Sequence, residues 1–387
     1  MPKFNDLSRS LVALEQDSTL IVVIELSRSS WLVGGLVPGL RREPRKKLTP
    51  DADGLLRLLH RWRDEATAAG REINRICVAY EAGRDGFWLA RWLHRHDIEC
   101  HVIHPSSIAV SREHRRAKSD RLDLGLLQRS FLGWLRGERK HCGMVAVPSV
   151  EEEDAKRPVR EREHLVAEAT RLVNRMTSLL ALHGIQGFNV KLKTAAEKLS
   201  SLRTAAGEPL PPNTLAELRA AMQRRQAIKA RIAEIEAARL ERLKQPPRSG
   251  SDAMIALLAR IVGVGIETAE TLVLEVLSRR LRDRRAVARY AGLTGSPDES
   301  GEKRREQGLA KAGNGRVRRS LIQLAWRLLI HQPDCELVRW YRRRTADGRR
   351  VTRKVMIVAL ARKLLVALWD YVSTGQVPAG MRLHSAA

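Results

Sequence analysis

The run Leu20-Ile21-Val22-Val23-Ile24 is apolar at every position, largely β-branched and short, the pattern of a strand buried on both faces. Trp31-Leu32-Val33, after a polar turn, reads as its hairpin partner. Helical spacing from about Ala52 to Ala68 follows, then a strand at Ile76-Cys77-Val78-Ala79-Tyr80, a helix from Gly86 to Arg95, and a strand from Glu99 to Ile103 closed by Pro105. A hairpin followed by strand–helix alternation predicts an α/β domain with a mixed sheet, placed at residues 14–140.

Beyond the acidic block Glu151-Glu152-Glu153-Asp154 the period changes to that of long helices. Leu165, Val166, Ala169, Leu172, Val173, Met176, Leu179 and Leu180 form one apolar stripe that ends near Gly184 and Gly187. A second helix is expected after Pro211-Pro212, where Thr214 and Glu217 have capping-box spacing, with Leu218, Met222, Ile228, Ile232 and Ile235 inward. Two long antiparallel helices without a sheet predict a coiled-coil arm over 151–248, serving either as an intramolecular spacer or as a dimerisation element. From Asp252 the pattern is helical, giving a domain at 252–345 and a basic helix and tail at 346–387.

Charge sharpens this picture. The 387 residues carry 70 Lys+Arg against 44 Asp+Glu, a formal charge of +26, and such a surplus repels itself unless a polyanion shares it. Lys303 to Lys363 alone holds 18 Lys+Arg against 4 Asp+Glu, so nucleic acid is the expected partner of the C-terminal half. There Arg342-Arg343-Arg344, Arg349-Arg350 and Arg353-Lys354 are either solvated faces or, with Trp326, Trp340 and Tyr341, a nucleic-acid surface. The start, Met1 to Asp6, lacks an apolar signal core and Arg362-Lys363 interrupts the longest apolar run, so a cytoplasmic protein with no membrane partner is expected. Four scattered cysteines without a CxxC pair fit a reducing compartment. His94, His96, Cys100, His101 and His104 lie close in sequence but straddle a helix end and a strand, an arrangement that disfavours a shared zinc ion.

Three motifs carry candidate chemistry. Glu25 and Glu81 fall at strand ends, where open α/β sheets form sites, and Asp120 and Asp123 are one helical turn apart. Four convergent carboxylates suit a pair of Mg²⁺ ions acting in phosphoryl transfer, although each is also readable as an ordinary strand-end, N-cap or surface residue. Val262-Gly263-Val264-Gly265-Ile266-Glu267-Thr268 has the form of a helix-hairpin-helix, in which Gly263, Gly265 and Thr268 would meet a phosphate, or of a plain αα-hairpin. Ser300, before Gly301, lies in a polar stretch read as a loop ahead of Lys303, Arg304 and Arg305, and is either a hydroxyl nucleophile or a turn residue. Lys311, Asn314, Arg316 and Arg318 extend the set of nucleic-acid candidates.

The order Glu81-Ala82-Gly83, His104-Pro105, Ala117-Lys118-Ser119-Asp120-Arg121-Leu122-Asp123, Val262-Gly263-Val264-Gly265, Tyr290-Ala291-Gly292-Leu293, Ser300-Gly301 and Lys311-Ala312-Gly313-Asn314 resembles the DEDD insertion-sequence transposases, which include Piv-type invertases and bridge-RNA-guided recombinases. The resemblance runs from about Thr19 to His331. It implies a RuvC-like domain of the RNase H fold with Glu25, Glu81, Asp120 and Asp123 on Mg²⁺, and a transposase domain with Ser300 attacking DNA to form a phosphoserine link. It also implies double-stranded DNA and a structured guide RNA from the same element as partners, and a homo-oligomer, dimer or tetramer, with composite sites. The family pattern begins with Asp where this chain has Glu25, one methylene or roughly 1.5 Å longer, and Asp17 lies at the wrong end of the strand to replace it. The competing readings are a RuvC-like nuclease acting by water attack and a catalytically impaired nucleic-acid-binding remnant.

Overall fold

A computed structural model of the chain describes residues 7–83, 86–108, 120–138, 141–247, 249–279, 281, 283–300, 303–309 and 313–384; the side chains of 106, 120, 121, 296–300 and 303–307 fall outside that description. The chain divides into two compact units, Met1–Val150 with Arg280–Ala286, and Glu151–Arg279 with Val287–Ala387.

In the first unit six strands form one sheet: β1 (Thr19–Leu26), β2 (Trp31–Leu36), β3 (Arg45–Leu48), β4 (Arg75–Glu81), β5 (Glu99–Ile103) and β6 (Met144–Val145), in the order β3-β2-β1-β4-β5-β6. β1 is antiparallel to β2 and parallel to β4, and β4 is parallel to β5, so the sheet is mixed as its pattern predicts. Both faces of β1 are covered. Leu20, Val22 and Ile24 pack with α1 (Ala52–Ala68) and α2 (Trp88–His94), while Ile21 and Val23 pack with α3 (Asp120–Leu135). This two-sided burial is why the run is apolar throughout. Helix α1 starts where the Asp51 carboxylate accepts the amides of Asp53 and Gly54. The edge strand β3 has no apolar pattern; Arg45, Lys46 and Lys47 are exposed and protect that edge from further pairing.

In the second unit the arm comprises the short α4 (Val150–Asp154), α5 (Arg157–Leu182), the small α6 (Ala195–Lys198) and α7 (Pro212–Lys244). Helices α5 and α7 pack antiparallel within one chain, locked by Glu161–Arg231 at 2.8 Å, Glu168–Arg224 at 2.6 Å and Arg175–Glu217 at 2.5 Å. Each rung lies seven residues from the next on both helices, a heptad register written in charge. The expected capping box at Thr214 is not formed. Helix α7 begins at Pro212, where a missing N–H costs nothing; the Thr214 hydroxyl meets His183 Nε2 at 3.2 Å and Glu217 is taken by Arg175.

The remaining helices are α8 (Gly250–Ala259), α9 (Ile266–Leu272) continued by a π turn (Val273–Leu277), α10 (Arg284–Tyr290), α11 (Gly315–His331), α12 (Glu336–Arg344) and α13 (Arg350–Thr374). Leu321, Leu324 and Leu328 of α11 and Leu360, Leu364 and Leu368 of α13 are buried in this body, where α11 packs on α13. The helical expectation for this domain needs one correction. The stretch around Ser300 holds not a loop but two antiparallel strands, β7 (Gly295–Ser300) and β8 (Lys303–Leu309), with a register shift between Gly295 and Pro297. Its strands are almost wholly polar, so no period-two apolar signal announces them.

Candidate functional site

Glu25 and Glu81 occupy matching places. Ile24 of β1 is in register with Tyr80 of β4, and the next residue in each parallel strand is the carboxylate. Side chains alternate along strands. Ile21 and Val23 face α3, as do Cys77 and Ala79, so Glu25 and Glu81 continue that same face at the carboxyl ends of adjacent strands. Glu25 is partly buried, its Oε2 shielded from solvent, and Glu81 is exposed.

Helix α3 opens with Asp120 and brings Asp123 to this end of the sheet. Leu124 sits so close to β2 that a Cβ on Gly34 would lie 2.8 Å from Leu124 Cδ2, and Gly34 pairs with Val23, two residues before Glu25. Asp123 is partly buried; the side chain of Asp120 and the Ala117-Lys118-Ser119 part of its motif lie outside the described residues. The sheet thus places three of the four acidic residues by backbone and side chain and the fourth by backbone. Carboxylate oxygens are hard donors of the kind Mg²⁺ takes, and β1 and β4 bring Glu25 and Glu81 to the face that α3 covers. Among the described residues no group of three or more His, Cys, Asp or Glu side chains is closed around a common point. Asp17 precedes β1, as expected, and pairs with Arg71 at 3.5 Å.

The histidine-rich stretch is dispersed among separate partners. His94 Nε2 meets the Cys100 carbonyl at 3.0 Å, His96 Nδ1 the Trp92 carbonyl at 2.9 Å and His101 Nε2 the Glu99 carboxylate at 2.6 Å, while burial lowers the His104 imidazole below its ordinary value.

In the second unit, Ser300 is the last residue of β7 and pairs with Lys303 across the hairpin tip. Its side chain and those of Lys303, Arg304 and Arg305 lie outside the described residues, as do Gly301 and Lys311. Gly313 has φ +99°, and a Cβ there would stand 2.5 Å from the Tyr290 carbonyl, so only glycine fits. Asn314 caps α11, its side-chain oxygen accepting the amides of Arg316 and Val317. The Arg316 guanidinium is ion-paired to Glu163. Asn314 and Arg316 therefore have structural tasks that the charge pattern does not announce.

The turn between α8 and α9 is also strapped down. Gln332, fully buried, donates Nε2 to the carbonyls of Val262 and Arg382, each at 2.9 Å, and Val262 N–H donates to Arg382 O at 3.1 Å. Gly263 has φ +91° and packs on His331. Thr268 is buried, and its hydroxyl accepts from Arg327 at 2.7 Å. A candidate surface in the basic segment needs revision too: Tyr341 turns inward with Val338, one helical turn apart, while the arginines of α12 face solvent. Trp326 remains 45% exposed, and the Trp340 ring lies 4.9 Å from the Lys363 ammonium.

Glu275 escapes a reading of charge runs. It is one carboxylate inside the apolar stretch Leu272-Val273-Leu274-Glu275-Val276-Leu277 and is 3% exposed. That interruption is the only sequence signal it leaves.

Residues 255–339 match the family model described as "Transposase IS116/IS110/IS902 family". The chain is also 41% identical over 373 residues to the "Putative transposase y4rJ" of Sinorhizobium fredii (strain NBRC 101917 / NGR234), covering 93% of each protein. No helix among the described residues is long and apolar enough to cross a membrane.

Proposed function

The chain belongs to the IS116/IS110/IS902 family of transposases, and from that premise we propose that it cuts and rejoins DNA through a serine–DNA covalent intermediate. The observation that carries the reading is the matched placement of Glu25 and Glu81 at the carboxyl ends of β1 and β4, on the face where α3 begins with Asp120 and Asp123. This is the acidic corner of a RuvC-like domain at 14–140. Glu25, Glu81, Asp120 and Asp123 would hold two Mg²⁺ ions, which supply charge neutralisation at the reacting phosphate. Glu25 takes the first position with its longer side chain.

Ser300 is the nucleophile of the domain at 252–345. Its hydroxyl oxygen bonds to phosphorus, the bond from phosphorus to one deoxyribose oxygen breaks, and the freed deoxyribose hydroxyl retains the proton the serine loses. The phosphodiester energy is kept in the serine link, so a second strand's hydroxyl reverses the step and rejoins DNA without ATP. Lys303, Arg304, Arg305, Lys311 and Arg318 would meet the DNA backbone around that step, while Asn314 and Arg316, held by Glu275 and Glu163, shape the base of the hairpin rather than contact phosphate. In the α8–α9 turn, read as a helix-hairpin-helix, Gly265 would approach a phosphate, while Gly263, packed on His331, and Thr268, buried against Arg327, shape the turn. The arm at 151–248 and the basic end at 346–387 serve assembly into a dimer or tetramer and binding of a guide RNA from the same element.

The test is to incubate the protein with its element's DNA ends, the adjacent RNA and Mg²⁺, and to look for protein–DNA adducts that survive denaturation. Adducts absent in Ser300→Ala are expected. Cleaved ends that persist in Ser300→Ala would replace this reading with water-attack nuclease chemistry, and binding without cleavage would leave only a nucleic-acid-binding remnant. Glu25→Asp is expected to keep or raise adduct formation; complete loss would show a site built for the longer side chain.

A further inference from the structure

The hairpin that ends β7 at Ser300 leaves and re-enters the helical body through one narrow neck. Asn314 N–H donates to the Tyr290 carbonyl at 2.6 Å, and Gly313 packs against that same carbonyl.

Beside the buried Ala291, Leu293 and Val317, the neck is crossed by a charged network centred on the buried Glu275. Asn314 Nδ2 donates to Glu275 Oε2 at 3.0 Å while its oxygen caps α11. The other Glu275 oxygen receives Arg160 of α5 twice, from Nε at 3.1 Å and Nη2 at 3.0 Å. One turn along α5, Glu163 holds Arg316 and, at 2.6 Å, Arg319. Arg279 closes the ring: its Nε donates to the Glu275 carbonyl at 3.2 Å, and its guanidinium lies 4.8 Å from the Tyr290 ring centroid.

Glu275 stands in a π turn, a rare geometry that concentrates at functional sites. A carboxylate buried this deeply is strongly unfavourable unless paired, and an apolar side chain would fill the space at no such cost. What the charged network adds is direction, since each hydrogen bond fixes both a distance and an angle.

We propose that Arg160, Glu163, Glu275 and Asn314 are positioning residues for strand transfer: they set the hairpin neck and make its placement depend on the first arm helix. Through them, whatever moves the arm moves the base of the serine hairpin. The proposal rests on the reading of Ser300 as nucleophile.

Arg160→Met and Arg160→Lys test it in the full chain, with the element's DNA ends, the adjacent RNA and Mg²⁺. Arg160→Met is expected to slow single-turnover adduct formation at least tenfold while the DNA concentration for half-maximal rate stays within twofold; Arg160→Lys recovers most of the rate. Hydrogen exchange should quicken at Asn314 N–H and over 295–309 in Arg160→Met, with α13 unchanged. Should Arg160→Met not fold, Glu275→Gln, which preserves shape, carries the same expectation. Adducts at the parent rate in the variant overturn this proposal alone, and so does exchange that quickens equally through α8 to α13. No adduct from the parent protein overturns the nucleophile reading and takes the proposal with it.

Discussion

Two arginine–carboxylate contacts on α9, three residues apart, should differ widely in their effect on the arm's attachment. Glu270 is 1% exposed and faces Arg239 of α7, itself 6% exposed, at 2.5 Å; its other oxygen is paired with Arg242. Glu267 is ion-paired with Arg162, but its side chain is 51% exposed. At an effective dielectric of about 20, unit charges 2.5 Å apart attract by on the order of 6–7 kcal/mol, and most of this is offset by the loss of hydration. The net worth of the intact Glu270 cluster is therefore small. Its removal is not, because Arg239 would stay buried without its counter-charge. Glu270→Gln is expected to lower local stability by about 3–5 kcal/mol, and Glu267→Gln by under about 1 kcal/mol.

Whole-chain unfolding is unsuited to the measurement, since two compact units need not melt together. Native-state hydrogen exchange of the α7 carboxyl end and α9 reads the local value, and 3 kcal/mol corresponds to exchange faster by on the order of a hundredfold. Replacing Arg239 and Glu270 together by Met should recover most of the loss. Equal effects of Glu270→Gln and Glu267→Gln, or a Glu270→Gln effect below about 1 kcal/mol, would refute the reasoning.

Two further outcomes concern the first unit. Burial alone would raise the Glu99 carboxyl, but hydrogen bonds from His101 and from Arg75, at 2.7 and 2.8 Å, outweigh it and hold the group well below its ordinary value of 4.5. Its stabilisation is therefore full above that ordinary value and is lost as pH falls toward the lowered one; Arg75→Met should move the acid-unfolding midpoint of the unit to higher pH by circular dichroism, and an unmoved midpoint would count against the assignment. Burial pushes the thiols of Cys77 and Cys100 far up and that of Cys142 up to about 12, so all three stay protonated near neutrality. Iodoacetamide at pH 8 should label them slowly in the native chain and rapidly once unfolded; fast native labelling would contradict their burial.

The sheet of the first unit was legible because β1 and β5 announce themselves in different ways, one as a solid apolar run and one by its Pro105 stop, and the helix at 52–68 by a clear stripe. Glu25 and Glu81 could be placed at strand ends from the same pattern. That they share the α3 face could not, because it depends on the parallel register of β1 with β4. The hairpin carrying Ser300 is not legible in the sequence for a physical reason: a run of polar side chains has no hydrophobic period. Likewise nothing in a count of basic residues distinguishes Arg316, ion-paired with Glu163, from an arginine left for phosphate.

The three rungs that join α5 to α7 have an implication for how the arm can vary. Because both helices step by seven residues between rungs while running in opposite directions, an added length other than whole heptads breaks the ladder, whereas a whole heptad added to each helix keeps every rung paired. At a rise of 1.5 Å per residue that is an increment of roughly 10 Å, on an arm whose first helix is about 39 Å long. The arm thus behaves as a graduated ruler, able to change its reach in discrete strides but not continuously.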